Sequence, residues 1–258
     1  MNCMTPAEIV LMKKAGEMTR DALNYAETLI KPGISTLELD KCVEKYIIDR
    51  GGIPSFLNYD GYPASICASV NDVIVHGIPS ADIVLKEGDI VSIDVGVIYK
   101  GYNGDAARTF PVGKISPQKE RLIQVTKECF FEGIKHLKVG DRLGKMSHAI
   151  QVYAEKHGYS VVRELVGHGI GRRMHEPPNV PNYGKETDGP IVTKNACIAI
   201  EPMINMGARN VFQMADGWTI KTRDHLPAAH FEHTLAIRKG EADILSTFEY
   251  IETGNCKN

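Results

Sequence analysis

Asp94 closes the apolar, β-branched run Ile90-Val91-Ser92-Ile93, and the stretch Asp89 to Val97 reads as a buried strand. An ionised carboxylate there is costly unless a cation or a hydrogen-bond network compensates it. Asp105 follows the turn-forming stretch Tyr99-Lys100-Gly101-Tyr102-Asn103-Gly104. With a turn of about six residues, a strand returning from Asp105 to Val112 brings the two acids toward one face, subject to register. Three more potential ligands stand in similar places. Glu201 ends a second apolar strand, Cys197-Ile198-Ala199-Ile200; Glu232 lies in Ala229-His230-Phe231-Glu232-His233-Thr234-Leu235; His168 sits among glycines in Gly167-His168-Gly169-Ile170-Gly171. A lone Asp is more simply a turn cap, or a buried partner of Arg108 or a lysine. Four carboxylates and an imidazole together point instead to a metal, because like charges held close call for a cation.

This donor set is rich in oxygen and lacks cysteine, which favours Mn²⁺, Fe²⁺, Co²⁺ or Zn²⁺ over a structural zinc site. It has lone pairs enough for two divalent ions about 3.5–4 Å apart sharing a water, an arrangement suited to hydrolysis near neutral pH. Glycines around His168 remove neighbouring side chains and let the backbone turn tightly, presenting the imidazole into a cleft. Without a nucleotide-binding βαβ context, the same glycines give little support to phosphate binding. His76, in Val75-His76-Gly77-Ile78-Pro79, and His175, in Met174-His175-Glu176-Pro177-Pro178, serve equally well as hydrogen-bonded loop residues or as donors to a substrate carbonyl or amide. The chain has no G-x-S-x-G elbow, and Cys67 in Ser65-Ile66-Cys67-Ala68 reads as a small buried side chain.

Helices and strands must hold these residues. Thr5-Pro6-Ala7-Glu8 has the cap, first-turn proline and acid of a helix start, and that helix should stop before Lys31-Pro32-Gly33. Ser35 to Glu38 is a second capping box, followed by Leu39, Val43, Tyr46 and Ile47 at helical spacing up to Gly51-Gly52. Further helices are expected from Ser116-Pro117 to about Leu137 and from Leu143 to about His157. Lys31, Gly33, Tyr46 and Gly51 recur 107 positions on as Lys138, Gly140, Tyr153 and Gly158, and at that offset Asp94 falls on Glu201. His-Gly-Ile occurs twice, at His76 and His168, ahead of the two strands. The chain therefore reads as one α+β domain, residues 1–258, of two related halves whose shared centre lies between them.

At 43% hydrophobic and 24% charged, 258 residues can bury a substantial core. A formal net charge of −2 gives no bulk attraction to nucleic acid or anionic membrane. The six cysteines are scattered and form no C-x-x-C pair, and the chain starts without a basic or apolar leader, which together suit a reducing, cytoplasmic setting. Apolar runs fall far short of the roughly 20 residues of a membrane span. A monomer is expected, for want of an apolar dimerisation stripe.

Taken in order, His-Gly-Ile-Pro at His76, Ser-Ile-Asp-Val-Gly at Asp94, Tyr-Asn-Gly-Asp at Asp105, Gly-His-Gly-Ile-Gly at His168, Ile-Glu-Pro-Met at Glu201 and Phe-Glu-His-Thr at Glu232 closely resemble the methionine aminopeptidases of the first type, in their short bacterial form. The resemblance runs from about Thr5 to Leu245. It implies the pita-bread fold, with two pseudo-symmetric halves around a curved antiparallel sheet. The implied activity is removal of the initiator methionine from nascent polypeptides when the next residue is small. By carry-over, Asp94 holds one metal ion, His168 and Glu201 the other, and Asp105 and Glu232 bridge or touch both. A hydroxide shared by the ions would attack the scissile carbonyl with Glu201 as proton acceptor. His175 would stabilise the oxyanion and His76 would bond the scissile amide nitrogen.

The resemblance also implies a methionine pocket lined by Tyr59, Tyr62, Cys67 and Trp218, together with Phe56 and Met174. The chain departs from its relatives at Phe56, where cysteine is frequent, at Met174, where an aromatic is usual, and at His230, where glutamine is common; the last bears on hydrogen bonding around Glu232. The resemblance leaves ribosome docking open. An Xaa-Pro peptidase on the same fold is the nearest rival, disfavoured by the short N-terminus. A metal-free binding protein is disfavoured by the five intact ligands.

Overall fold

In the computed structural model, which describes residues 1–238 and 242–247, each expected cap is made. The Thr5 hydroxyl accepts from the Glu8 amide while the Glu8 carboxylate accepts from the Thr5 amide, starting helix α1 (Pro6–Leu29). Ser35 and Glu38 repeat the arrangement for α2 (Thr36–Asp49). The first half continues through β1 (Ile53–Pro54), β2 (Ile66–Val70), β3 (Val73–Val75), β4 (Ile90–Tyr99) and β5 (Tyr102–Pro111). The second half comprises α3 (Pro117–Ile134), α4 (Gly144–Lys156), β6 (Ser160–Val161), β7 (Gly167–Gly169), β8 (Glu176–Val180), β9 (Cys197–Ile200), β10 (Met203–Asn205), β11 (Val211–Gln213), β12 (Ile220–Thr222), β13 (Ala228–His230), β14 (His233–Ile237) and β15 (Ala242–Ile244).

The turn between β4 and β5 is tighter than the sequence reading allowed. Tyr99 pairs with Tyr102, leaving Lys100-Gly101 as a two-residue loop with φ of 47° and 80°. Two consecutive positive φ values make the hairpin turn whose twist matches that of the strands, so the pairing runs on through Asn103 and Gly104. The strands pair antiparallel over their full lengths.

The offset of 107 holds at the level of single hydrogen bonds. The Gly33 amide donates to Leu85 O at 2.8 Å and Gly140 to Val192 O at 2.9 Å; the Gly52 amide donates to Ile47 O and Tyr159 to Ala154 O, both at 3.1 Å. Bridges Ser35–Val84 and Arg142–Ile191 keep the same spacing. The two His-Gly-Ile triplets do not take part in this symmetry. His76 has φ of 58° in a loop, whereas His168 lies within β7.

In the first half β4 is central, flanked by β5 on one side and by β2 and β1 on the other. In the second, β9 lies between β14 and β7, with β15 and β8 outside them. The halves join where β5 meets the segment around β14: Glu232 N donates to Ala107 O at 2.9 Å and Ala107 N to Glu232 O at 3.3 Å. One apolar cluster spans the join, containing Leu23, Val43, Val95 and Phe110 from the first half and Phe130, Ile150, Ile198 and Leu235 from the second. Cys3, Cys42, Cys67, Cys129 and Cys197 are free thiols, while Cys256 lies outside the described residues. Among the described residues no helix is long and apolar enough to cross a membrane.

Candidate metal centre

Register brings the acids together. Asp94 pairs with Ala107 and Asp105 with Gly96, so the two aspartates share one face diagonally across the hairpin. On its far edge Ala107 exchanges backbone hydrogen bonds with Glu232, which places Glu232 level with Asp94. Asp105 is held from the other half by Thr234, whose hydroxyl accepts from Asp105 N at 2.9 Å and donates to Asp105 O at 2.8 Å. Thr234 pairs with Ala199, and Ala199 with His168. Glu201 follows β9 directly, its carbonyl accepting from Asn182 Nδ2 at 2.9 Å.

The glycines beside His168 act differently from the sequence expectation. They do not turn the chain, since β7 is a strand packed between β8 and β9. A Cβ on Gly167 would lie 2.5 Å from Ala199 O, and one on Gly169 would lie 2.4 Å from Pro177 O. Only glycine lets the neighbouring strands close on the histidine. The His168 Nδ1–H donates to Gly169 O at 2.9 Å, leaving the Nε2 lone pair 3.8 Å from Asp105 Oδ2 and 3.7 Å from Glu201 Oε1.

Asp94, Asp105, His168 and Glu232 are buried, and Glu201 keeps 14% of its side chain exposed. Burial raises all four carboxyls above the usual carboxylate range, Asp94 to about 7; the charge of Asp94 adds to the rise at Asp105 and Glu201, and that of Asp105 at Glu232. Burial also depresses His168 to about 4, with the neighbouring His175 adding to the effect. Among the described residues no lysine or arginine pairs with these acids; Arg108 turns away to Glu27 at 2.7 Å. Asp94 Oδ1, Asp105 Oδ1 and Glu232 Oε1 have no hydrogen-bond partner among the described residues. Buried, repelling and unpartnered carboxylate oxygens beside a neutral imidazole are the donor set divalent cations take. The ligand atoms form two compact groups, Asp105–His168–Glu232 and Asp94–His230–Glu232, which share Glu232.

A cavity of about 120 Å³ opens above this cluster, lined by the four acids, His168, His76, His175, Phe56, Tyr59, Tyr62, Cys67 and Trp218. His175 Nδ1 lies 2.7 Å from the Tyr59 hydroxyl, which leaves Nε2 for other partners, and its ring centre is 4.3 Å from that of His168. Trp218 stands edge-on to Tyr62 and His76, with ring centres 5.1 and 6.2 Å away. Cys67 pairs across β2 with Asp94. Met174 is not among the lining residues; it is buried with Ile9, Met12 and Tyr102, and its methyl group lies over Gly96 beside Phe56. Sequence reasoning gave Thr234 no part in fixing Asp105. Its only signal was a place in the Glu-His-Thr run, and its role depends on strand register.

The cluster could hold divalent ions beneath a cavity open to a substrate. The profile of metallopeptidase family M24 matches residues 10–239, and the chain belongs to that family. The chain is 48% identical to a methionine aminopeptidase of Clostridium acetobutylicum, covering 94% of this chain and 97% of that protein. The crystal structure of methionine aminopeptidase from Rickettsia prowazekii superposes with a TM-score of 0.94 at 41% identity, covering 95% of this chain and 99% of that one. An Xaa-Pro dipeptidase from Bacillus anthracis shares the fold at a TM-score of 0.78 and 21% identity, over 95% of this chain and 62% of its own. The pita-bread expectation therefore holds.

Proposed function

We propose that the chain is a metal-dependent aminopeptidase that removes the N-terminal methionine from polypeptides whose second residue is small. The observation that carries this reading is the buried cluster of carboxylates, with Asp94 Oδ1, Asp105 Oδ1 and Glu232 Oε1 unpartnered among the described residues, beneath a cavity walled by aromatic rings and Cys67. Extensive identity to methionine aminopeptidases over nearly the whole chain supports the choice of substrate.

In this reading Asp94 would hold one divalent ion and His168 and Glu201 the other, with Asp105 and Glu232 placed to serve the pair. When bound, such ions supply an acidified water and polarise a carbonyl oxygen. The side chains of this protein do the rest. Glu201, the ligand that keeps some exposure, takes up the proton released as water attacks. His175, steadied by Tyr59, donates from Nε2 to the charge growing on the carbonyl oxygen. His76 hydrogen-bonds the scissile amide nitrogen. Tyr59, Tyr62, Phe56, Cys67 and Trp218 surround the methionine thioether, and Met174 supports Phe56 from behind the cavity wall. Free thiols throughout the described cysteines fit the cytoplasm. There the enzyme acts as a single-domain monomer on nascent chains.

The test is mass-spectrometric cleavage of Met-Gly-Ser, Leu-Gly-Ser, Ala-Pro-Ser and N-acetyl-Met-Gly-Ser by metal-free protein, before and after addition of Mn²⁺ or Co²⁺. Metal-dependent loss of methionine from Met-Gly-Ser alone is expected. Cleavage of Ala-Pro-Ser instead would transfer the same centre to an Xaa-Pro peptidase.

A further inference from the structure

Building on the two-ion reading above, we infer that His230 is a protein ligand of the Asp94-side ion, so that each ion of the pair takes one imidazole. His230 is 1% exposed, and among the described residues neither of its ring nitrogens has a hydrogen-bond partner. Nε2 lies 3.6 Å from Glu232 Oε2 and 3.9 Å from Glu201 Oε2, too far for hydrogen bonds. Two atoms that each sit about 2.1 Å from one cation are at most about 4.2 Å apart, so the 3.6 Å separation from Glu232, the acid common to both groups, suits a shared ion. The ligand atoms of Asp94, His230 and Glu232 all lie within 4.8 Å of one another, as do those of Asp105, His168 and Glu232. The two histidines thus flank Glu232 in two equivalent groups.

Both halves fix the backbone that aims this ring. His230 N donates to Thr109 Oγ1 and Thr109 Oγ1 donates to His230 O, each at 2.9 Å, while Ser92 Oγ lies 2.8 Å from the same threonine oxygen. Met203 pairs with His230 from the other side. A neutral imidazole left unpartnered in a buried, acid-lined site costs stability, and a cation at Nε2 removes that cost. The second ion then binds through nitrogen as well as oxygen, which shifts its preference from Mn²⁺ toward Co²⁺ and Zn²⁺.

X-ray absorption of the metal-free full chain loaded with one and then two equivalents of Co²⁺ tests the assignment by counting imidazoles per cobalt. The natural chain should give about one at both loadings. In His230→Gln the value should fall to about one half at two equivalents, and calorimetry should show the second binding step weakened at least tenfold. Half an imidazole per cobalt in the doubly loaded natural chain would overturn the assignment while leaving the two-ion centre standing, and this readout needs no folded variant. Binding of fewer than two equivalents by the natural chain would overturn the two-ion reading and this inference with it.

Discussion

At the ligand cluster, burial and mutual repulsion hold protons on groups that are normally ionised, and this makes a pH dependence. The carboxyls of Asp94, Asp105, Glu201 and Glu232 sit above their unfolded values, Asp94 at about 7. In the metal-free protein their stabilising contribution is complete below about pH 4 and is lost as pH rises, for Asp94 through about 7 and for the other three as each ionises above the usual carboxylate range. The buried histidines are depressed instead, His76 and His168 to about 4 and His230 and His233 to about 3. They oppose the carboxyls only below about pH 6.5, where unfolded imidazoles take up protons. The Tm of metal-free protein should therefore fall between about pH 6.5 and 8, and saturating Mn²⁺ should remove most of that fall; a rising Tm would count against the buried-acid description. His76→Ala and His175→Ala should each lower kcat about 10²-fold or more with two ions still bound, as read by steady-state kinetics and metal analysis. The five proposed ligands were legible in the sequence as a set, because four acids in or beside apolar segments and a histidine flanked by glycines have no single simpler explanation. Thr234 was not, because its hydroxyl reaches Asp105 only through the pairing of two distant strands.

Among the elements, caps were the most legible feature, since Thr5–Glu8 and Ser35–Glu38 are local patterns that the backbone can satisfy in one way. The hairpin was less so. Polar residues from Tyr99 to Gly104 look like a loop, yet cross-strand pairing recruits all but Lys100 and Gly101. Helix α1 lies so close to β5 that a Cβ on Gly104 would sit 2.6 Å from Ala15 C and from Gly16 N, whereas one on Gly101 meets nothing within 4 Å. Gly104→Ala should cost about 1–3 kcal/mol by overpacking. Gly101→Ala should cost about 1–2 kcal/mol, through its left-handed backbone alone. Denaturant midpoints measure both, and metal affinity separates them. Shifting β5 beside Asp105 weakens metal binding in the first variant, while the second binds normally.

For the molecule as a whole, the repeat at 107 residues is the architectural fact that matters. Each half supplies an apolar strand that carries an acid, Asp94 within β4 and Glu201 directly after β9, and the join between β5 and β14 turns two incomplete sets into one centre. Lys, Gly and Tyr matches reveal the offset, but how the halves meet was not legible, because Ala107 and Glu232 join through backbone bonds that any side chain permits and the Thr234 hydroxyl meets Asp105 only once the strands have paired. Thr234→Val should leave the Asp105 backbone amide and carbonyl without their partner, at about 1–3 kcal/mol for each buried group. Stability and metal affinity should drop together, as differential scanning with and without Mn²⁺ would show; a loss of stability at unchanged affinity would separate the join from the centre. The most direct measurement is anomalous diffraction from crystals of the Mn²⁺-loaded protein. Two peaks about 3.5–4 Å apart, both in contact with Glu232 and enclosed by Asp94, Asp105, His168 and Glu201, are expected. A single ion, or ions bound outside this set in protein that still cleaves peptide, would contradict a shared two-ion centre.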